Sequence, residues 1–272
     1  QESFDKNLNR FDITIYLKQK GLELFYSIDG TEPDRNSNKF DKSRIISGIT
    51  LRNLDYNPSK FGFSISKADI LTDEETEQNR IALANQLNID RSQLIVQKQI
   101  HSDISNVVSK GFPICESDGL ITNHKNICLA ISLADCCGIL VFDPIQNIIS
   151  AIHSGWKGTQ QNIVGKTISK IVKNFSSFPS DFYVWITPCA GKEDYEVGED
   201  VAQFFPNFIE MKNNGKYLLD LKSAIVNQLL NEGVEINRIE ISPESTISDP
   251  NFHSYRRDRN KSGRMAAFIM MR

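Results

Sequence analysis

The middle of the chain is a dense series of short apolar segments, and this pattern restricts the fold more than any other feature of the sequence. Each segment has the length of a β-strand and is bounded by polar or glycine-containing residues, so the pattern predicts strands of the buried type. These predicted strands are Leu94–Lys98, Gly119–Thr122, Cys128–Leu133, Gly138–Phe142 and Ile148–His153.

Three longer helices are predicted around these strands. The first begins at a capping box formed by Thr72 and Glu75, in which each side chain satisfies a backbone N–H of the other residue. The second has apolar residues at helical spacing along one face over residues 164–175. The third runs from an N-cap at Asp220 to a stop at Gly233.

The rest of the chain adds shorter elements. A polar, turn-rich loop is predicted over residues 30–43 and a short helix over residues 199–205. Further strands are predicted at Ile13–Leu17, Leu22–Ile28, Phe61–Ile65, Phe182–Ile186, Arg238–Ile241 and Met265–Met270. Strands and helices mixed without strict β–α–β alternation are typical of an α+β layered domain. Since neither a repeat nor a linker is present, we expect a single domain over residues 1–272, with the polar residues 1–10 either disordered or a remnant that is not native to the protein.

The composition excludes several classes of protein. Of the 272 residues, 40% are hydrophobic and 24% are charged, which is typical of a globular protein and excludes collagenous and coiled-coil chains. The net charge of −3 gives no clustered positive charge for binding nucleic acid or an acidic membrane. The longest nearly apolar run, Ile127–Phe142, contains Asp135 and is too short for a transmembrane helix. Five cysteines, an odd number, are a poor disulfide framework, and we expect a reducing, cytoplasmic location.

Two histidines and a cysteine lie at the ends of predicted strands. His101 and Cys136 each follow a strand, and His153 ends one. Side chains at strand ends can meet at one sheet edge, and two imidazoles with a thiolate are a ligand set for zinc or, alternatively, copper. Three protein ligands would leave a fourth position for a reactant, as in catalytic zinc sites. The other two histidines, His124 and His253, are expected at the surface or in packing.

The spacing of these residues leaves other interpretations open. No CxxC or HExxH pattern is present, so on spacing alone ordinary packing is favoured over a metal site. The same residues also fit a nucleophile pair, with Cys136 as the thiolate, His153 as the base and Asp135 as the residue that orients the base. Cys137, the next residue, is expected to point to the opposite face of the strand.

A glycine-rich turn follows His153. Gly155 and Gly158 allow a tight turn and a close approach to a ligand, and Lys157 adds a positive charge. Because the following helix would present free N–H groups, this turn is a candidate site for phosphate or a carboxylate. The alternative is an ordinary strand-to-helix turn with Trp156 packed in the core.

Three arginines near the C-terminus form a second candidate for anion binding. Arg256, Arg257 and Arg264 lie close to one another in the sequence and could clamp an anionic substrate with paired hydrogen bonds. They could equally form a solvated loop that is paired internally with Asp249 and Asp258.

Taken together, these motifs resemble one family over the range from about Asn79 to Arg264. The matching motifs are Gln99-Ile100-His101, Glu116-Ser117-Asp118-Gly119-Leu120-Ile121-Thr122, Ala134-Asp135-Cys136, His153-Ser154-Gly155-Trp156-Lys157-Gly158-Thr159, Pro188-Cys189, Tyr195-Glu196-Val197-Gly198, Ser254-Tyr255-Arg256-Arg257-Asp258 and Gly263-Arg264-Met265. The chain resembles the YfiH family, long labelled as multicopper polyphenol oxidase or laccase-domain proteins. Members of the family are now described as purine nucleoside phosphorylases with adenosine deaminase activity.

The resemblance implies a fold, a metal and two reactions. The family fold is a layered α/β/β/α arrangement with mixed sheets, similar to Cys–His hydrolases, and the family's metal triad, usually described with zinc, corresponds to His101, Cys136 and His153. The implied reactions are phosphorolysis of adenosine, inosine and methylthioadenosine, and deamination of adenosine to inosine. Asp135 is the candidate for orientation or proton transfer. A Cys–His amidase or deamidase and a copper-dependent polyphenol oxidase remain as alternatives.

The chain departs from the family pattern at several positions. Gly138 replaces the usual proline, and Lys157 replaces an arginine, which keeps the charge but loses the fork geometry. Thr246 follows a serine where the family often has cysteine. These changes bear on substrate preference and phosphate affinity and leave the triad intact.

Overall fold

The computed structural model describes residues 15–16, 45–52, 61–68 and 71–272. The predictions for residues 1–10, for the hairpin strand Leu22–Ile28 and for the loop over residues 30–43 lie outside this part of the chain. Of the first hairpin strand, only Ile15–Tyr16 is described, and it is a strand.

The described residues form fourteen strands and six α-helices. The strands β1 to β14 are, in chain order, Ile15–Tyr16, Ile45–Thr50, Leu94–Ile95, Ser105–Val107, Gly119–Thr122, Cys128–Leu133, Cys137–Asp143, Ile148–Ser154, Tyr183–Ile186, Glu196–Val197, Ile209–Met211, Tyr217–Leu219, Ile239–Ile241 and Met265–Met271. The helices α1 to α6 are Asp73–Gln86, Trp156–Gln160, Ile163–Phe175, Glu199–Ala202, Leu221–Asn231 and Tyr255–Asp258. In this part of the chain no helix has the length and apolar character that crossing a bilayer requires.

The predicted helix starts are confirmed. The Thr72 hydroxyl accepts the Glu75 N–H at 3.1 Å, and the Glu75 carboxylate accepts the Thr72 N–H at 2.7 Å, which completes the capping box of α1. The Asp220 carboxylate accepts the Ser223 N–H at 2.9 Å and caps α5, which ends shortly before Gly233 at φ +93°.

Two mixed sheets form the centre of the fold. The first has the order β1-β2-β14-β6-β3, and its neighbours are antiparallel except for β6 and β3. The second has the order β13-β9-β7-β8-β5-β4, with parallel pairing only at its two ends. A small antiparallel sheet, β10-β12-β11, is separate in its hydrogen bonding, and its Val197 and Leu219 pack in the same buried cluster as the second sheet.

Three buried clusters show how the layers stack. Along β6, Cys128 and Ala130 pack in one cluster with Leu83 of α1, whereas Leu129 and Ile131 pack in another cluster between the two sheets. The far face of the second sheet packs against α3 and α5. The order is therefore α1, first sheet, second sheet, and α3 with α5. This arrangement confirms the α/β/β/α fold with mixed sheets.

The strand predicted at Phe61–Ile65 is not present. Phe63 donates its N–H to the Arg52 carbonyl at 2.8 Å, and Ile65 donates to the Arg264 carbonyl at 3.0 Å, so the segment is a loop bonded to two other segments. Its apolar side chains are buried over the first sheet without forming a ladder.

Two elements near the candidate site are shorter or more regular than predicted. The strand predicted at Leu94–Lys98 is reduced to Leu94–Ile95, with an isolated bridge between Lys98 and Glu116. The turn predicted after His153 is a continuation of β8 to Ser154, followed at once by α2.

Candidate metal centre

The structure brings His101, Cys136 and His153 together. His101 lies in the loop between β3 and β4, Cys136 in the turn between β6 and β7, and His153 in β8, where it pairs with Gly138 of β7. Their ligand atoms all lie within 4.8 Å of one another. The two imidazole rings meet edge to face, with their centroids 4.8 Å apart and an interplanar angle of 67°. Three side chains distant in the sequence thus converge at the end of the second sheet where β7 begins and β8 ends.

Gly155 keeps the space beside these ligand atoms clear. A β-carbon at this position would lie 2.7 Å from the Cys136 Sγ and 3.2 Å from the His101 Nδ1. Two imidazole nitrogens and a sulfur are the donors that zinc and copper accept. The donor set and the clear space therefore fit a metal ion bound by three protein ligands.

A buried carboxylate, Asp118, connects two of the three ligands. It accepts a hydrogen bond from the His153 Nδ1 at 2.8 Å and from the His101 backbone N–H at 3.0 Å. It also accepts the backbone N–H and the hydroxyl of Ser102, at 2.6 and 2.7 Å. Because Nδ1 of His153 donates its N–H to Asp118, Nε2 is the ring nitrogen that faces the other two ligands.

The charges at the centre shift three pKa values. Burial opposes ionisation of Asp118, but hydrogen bonds from His153 and Ser102 outweigh it and lower the pKa of this carboxyl to about 2. Burial also opposes the charge of His153, but Cys136 and Asp118 raise the pKa of its imidazole to about 9. Burial and the neighbouring His153 lower the pKa of His101. The centre thus combines an ionised carboxylate with one histidine whose pKa is raised and one whose pKa is lowered.

Cys137 points away from the metal centre, as the alternation of side chains predicts. Its Sγ lies 2.8 Å from the Cys189 Sγ in the cluster that faces the helices, whereas Cys136 packs against the cluster between the sheets. The buried thiols of Cys137 and Cys189 are both free. Cys137 is therefore a core residue and Cys136 the one that faces the site.

Asp135 does not orient His153, contrary to the interpretation of Cys136, His153 and Asp135 as a catalytic group. Its Oδ1 accepts the Thr246 hydroxyl at 2.8 Å, and its Oδ2 accepts the Arg256 N–H at 2.6 Å. The residue has φ +80°, which turns its side chain towards α6. Asp118 makes the contact with His153 that was expected of Asp135.

The three arginines have different surroundings. Arg257 donates to four backbone carbonyls and pairs with the neighbouring carboxylate of Asp258, so its guanidinium holds the loop and is not placed to bind an anion. Arg256 lies over the ring of Tyr195 at 5.5 Å. Arg264 lies over the ring of Tyr255 at 5.6 Å and also donates from Nη1 to the carbonyls of Ser262 and Gly263, at 2.8 and 2.9 Å. The alternative prediction, that the loop is paired internally, is thus confirmed for Arg257.

The glycine turn contributes unequally to the site. Lys157 is exposed, lies 5.6 Å from the Trp156 ring, and, with Arg264, places positive charge near His101. Gly158 is buried in α2, where an added β-carbon would meet Ile163 at 3.3 Å and the carbonyl oxygens of Ser102 and His153 at 3.5 and 3.7 Å. Gly158 therefore lets α2 pack closely against the segments that carry the two histidines.

The remaining two histidines lie away from the ligand cluster. His253 is fully buried, donates from Nε2 to the Phe63 carbonyl at 2.7 Å, and accepts the Gly263 N–H at Nδ1. His124 is exposed. These placements confirm packing for His253 and a surface position for His124.

Comparison with known proteins identifies the family. The family model described as "Multi-copper polyphenol oxidoreductase laccase" matches residues 55–272. The chain belongs to this laccase family. A relative named purine nucleoside phosphorylase from Clostridium acetobutylicum is 34% identical to this laccase-family chain, over 80% of it and 94% of the relative. The purine nucleoside phosphorylase YlmD of Bacillus subtilis is 29% identical, over 85% and 90%.

Solved structures of the laccase family have the same fold. YlmD from Geobacillus stearothermophilus superposes with a TM-score of 0.79 at 28% identity, covering 84% of this chain and 92% of that one. A hypothetical protein YfiH of Bacillus licheniformis gives a TM-score of 0.78 at 26% identity, covering 84% and 93%. The similarity therefore extends over most of the length of each protein.

Two residues beside the three ligands of this laccase-family chain were not predicted as site residues. Asp118 and Tyr195 each lie in a family motif, but neither stood out as a site residue. Tyr195 is partly buried, and burial together with the nearby Cys136 raises the pKa of its hydroxyl. A polar residue that directly precedes a buried strand, as Asp118 precedes β5, is the signal that could have drawn attention to the carboxylate.

Proposed function

We propose that the protein is a metal-dependent purine nucleoside phosphorylase. The observation that carries this proposal is the convergence of His101, Cys136 and His153 at one end of the inner strands β7 and β8. The names of the relatives, which align over nearly their whole length, supply the reaction class. We propose zinc as the metal, with copper as the alternative, and adenosine, inosine and methylthioadenosine as substrates.

Phosphorolysis requires that an anion be held next to the nucleoside sugar. Lys157 and Arg264 place positive charge near His101, and Arg256 lies beside Tyr195 near Cys136. These three cations are the proposed phosphate ligands, since charge-assisted hydrogen bonds hold phosphate most strongly. They would orient a phosphate oxygen towards C1′ of the sugar, while the C1′–N9 bond breaks and the purine leaves with its electron pair and takes up a proton.

Deamination of adenosine is the second proposed reaction. Here water adds to the purine carbon that bears the amino group, and ammonia leaves. A divalent metal held by the three ligands would supply Lewis acidity and a lowered pKa for water. The chain itself would hold the nucleoside, and Asp118 would keep His153 oriented during the reaction.

The free thiols fit the proposed surroundings of the enzyme. All five cysteines are free, including the close pair Cys137 and Cys189. Free cysteines are typical of a reducing compartment, so we place the enzyme in the cytoplasm.

A second candidate function is supported by one observation. Cys136, His153 and Asp118 are arranged as a thiol, an imidazole and an orienting carboxylate, which is the pattern of a Cys–His hydrolase acting on an amide. In that case the metal-free protein would be active and iodoacetamide would inactivate it. In the phosphorylase, exhaustive chelation would abolish activity and reloading with metal would restore it.

Copper-dependent polyphenol oxidation receives less support. A multicopper centre needs several clusters of metal ligands, whereas all four histidines lie in the described part of the chain and only His101 and His153 join the single cluster found there. Oxidation of catechol by copper-loaded protein would support this alternative.

The proposed function is tested by product analysis. The zinc-loaded protein is incubated with adenosine, with and without inorganic phosphate, and adenine, hypoxanthine and inosine are separated. Phosphate-dependent release of adenine supports phosphorolysis, and phosphate-independent inosine supports deamination. If protein with one bound metal ion per chain forms neither product, the proposal is refuted.

A further inference from the structure

Both histidines of the metal centre depend on the same carboxylate. Asp118 is 1% exposed and lies directly before β5, outside the ligand set. It accepts five hydrogen bonds, from the ring of His153, from the hydroxyl of Ser102, and from the backbone N–H groups of Ile100, His101 and Ser102. The ligands that it links belong to separate elements, the loop after β3 and the strand β8.

The two oxygens of Asp118 divide these contacts. Oδ1 accepts the His153 Nδ1–H at 2.8 Å and the His101 N–H at 3.0 Å. Oδ2 accepts both donors of Ser102 and the Ile100 N–H at 3.2 Å. Because donors surround both oxygens, both must act as acceptors, and only a carboxylate satisfies the arrangement.

The backbone contacts explain the unusual conformation of His101. Its φ of +57° lies in the left-handed region, which is costly for a residue with a β-carbon. Hydrogen bonds from three successive N–H groups to the Asp118 carboxylate offset this cost. In another conformation of the turn these N–H groups would lose their common acceptor. The left-handed turn is what carries the His101 ring towards His153 and Cys136.

We propose that Asp118 is the positioning residue that assembles the metal centre. It fixes His153 as the Nδ1–H tautomer, with Nε2 directed at the metal, and it holds His101 in the left-handed turn. The proposal rests on the proposed function only in taking the three side chains as metal ligands.

Asparagine tests this role, because it is isosteric and lacks one acceptor. If its amide nitrogen replaces Oδ2, it faces the N–H groups of Ile100 and Ser102. If the nitrogen replaces Oδ1, His153 must accept at Nδ1 and carry its proton on Nε2, the atom needed for the metal. Either orientation disturbs one of the two histidine ligands.

The experiment measures the affinity of the full chain for Zn²⁺ alone, by competition with a chromophoric chelator. Asp118→Asn is expected to bind about 10- to 100-fold more weakly than the wild type, which is the usual effect of removing the partner of a ligand histidine. The ¹⁵N spectrum of zinc-loaded protein reports the tautomer of His153, a property that a general loss of stability would not change.

Asp143 provides the matched control. It is also a buried carboxylate, 1% exposed, at the far end of β7, where its Oδ1 accepts the N–H groups of Ile145 and Gln146. Asp143→Asn should leave both Zn²⁺ affinity and the His153 signal unchanged. If Asp118→Asn does not fold, Asp118→Glu keeps the charge but displaces both oxygens, and it should weaken Zn²⁺ binding in the same way.

Wild-type Zn²⁺ affinity together with an unchanged His153 tautomer in Asp118→Asn would overturn the proposal. A wild-type chain that binds no Zn²⁺ would overturn it together with the proposed function. Wild-type protein that binds Zn²⁺ but releases no purine would refute the phosphorylase alone and leave the positioning role standing.

Discussion

Gly155 lies so close to Cys136 that a β-carbon added to the glycine would be 2.7 Å from the thiol sulfur. This contact links the start of α2 to the proposed metal centre. The turn is therefore specific for glycine because of its neighbours, although its φ of −82° is accessible to every residue.

Gly155→Ala should damage the metal centre without unfolding the chain. The added methyl group would displace Cys136 or His101, and overpacking of this kind costs about 1–3 kcal/mol. If the whole cost falls on metal binding, it corresponds to a loss of about 5- to 150-fold in Zn²⁺ affinity. Gly158→Ala is the control, since its β-carbon would meet the Ile163 side chain at 3.3 Å and would reach Ser102 and His153 only at their backbone carbonyls, at 3.5 and 3.7 Å. Equal Zn²⁺ affinities for the two variants would contradict this geometry.

Replacing single ligands should separate the two candidate functions. His101→Ala removes a metal ligand but leaves Cys136, His153 and Asp118 in place. A phosphorylase that depends on the metal would lose both bound zinc and purine release. A Cys–His hydrolase would keep its activity and its sensitivity to iodoacetamide. Metal content and product formation, measured on one preparation of the variant, show which outcome holds.

Arg256 and Arg257 are adjacent but should respond differently to substitution by glutamine. Arg256→Gln removes a proposed phosphate ligand, and since a hydrogen bond to a charged group contributes about 1.5–3 kcal/mol, the KM for phosphate should rise about 10- to 100-fold. Arg257→Gln removes bonds to the carbonyls of Thr246 and Phe252, among others, and should lower the free energy of unfolding by about 2 kcal/mol. A larger change in the KM for phosphate in Arg257→Gln than in Arg256→Gln would reverse the assignment.

His253 should make the protein less stable in mild acid. Burial lowers the pKa of its imidazole to about 4 in the folded chain, compared with about 6.5 in the unfolded chain. Because the unfolded state then binds more protons, the stabilisation is complete above pH 6.5 and is lost as the pH falls towards 4, at up to about 1.4 kcal/mol per pH unit. Between pH 6.5 and 4, protonation of His253 should lower the free energy of unfolding by about 3 kcal/mol in total.

Urea unfolding of metal-free wild type and His253→Gln, at several pH values between 4 and 7, checks this expectation. The variant should be less stable at pH 7, since it loses the ring contacts with Phe63 and Gly263, and its stability should fall less steeply towards pH 4. Parallel pH curves for the two proteins would show that His253 does not titrate in this range.

The layers and the ligand set could be predicted from the sequence, because each has a local signal. The strands β5 and β6 match their apolar segments residue for residue, and the capping box marks the start of α1. His101, Cys136 and His153 were identifiable by their position near strand ends and by the family motifs around them. The convergence of the three residues required the structure.

The orienting carboxylate could not be predicted, because its role depends on strand pairing. Asp135 is next to Cys136 in the sequence and was the natural candidate, but φ +80° directs it to Thr246 and Arg256. Asp118 reaches His153 because β5 pairs with β8, which brings Gly119 opposite Ile152. This register is set by the whole sheet and is not visible in either segment.

The misassigned strand at 61–65 has a similar explanation. Alternating burial of apolar residues is the signal of a strand, but Phe63 and Ile65 are buried in a loop that covers the first sheet. Its backbone bonds go to Arg52 and Arg264, which belong to different segments. Phe63 and Ile65 are thus core residues, but residues 62–65 are all buried without the alternation of a strand. The sequence could not specify the backbone partners of the segment.

Metal dependence is tested most directly by measuring phosphorolysis by one preparation before chelation, after exhaustive chelation, and after reloading with Zn²⁺, with metal content determined at each stage. We expect that phosphate-dependent release of adenine from adenosine disappears with the metal and returns at one Zn²⁺ per chain, and that Cys136→Ala shows neither. Undiminished release of adenine from the chelated protein would contradict this dependence on the metal.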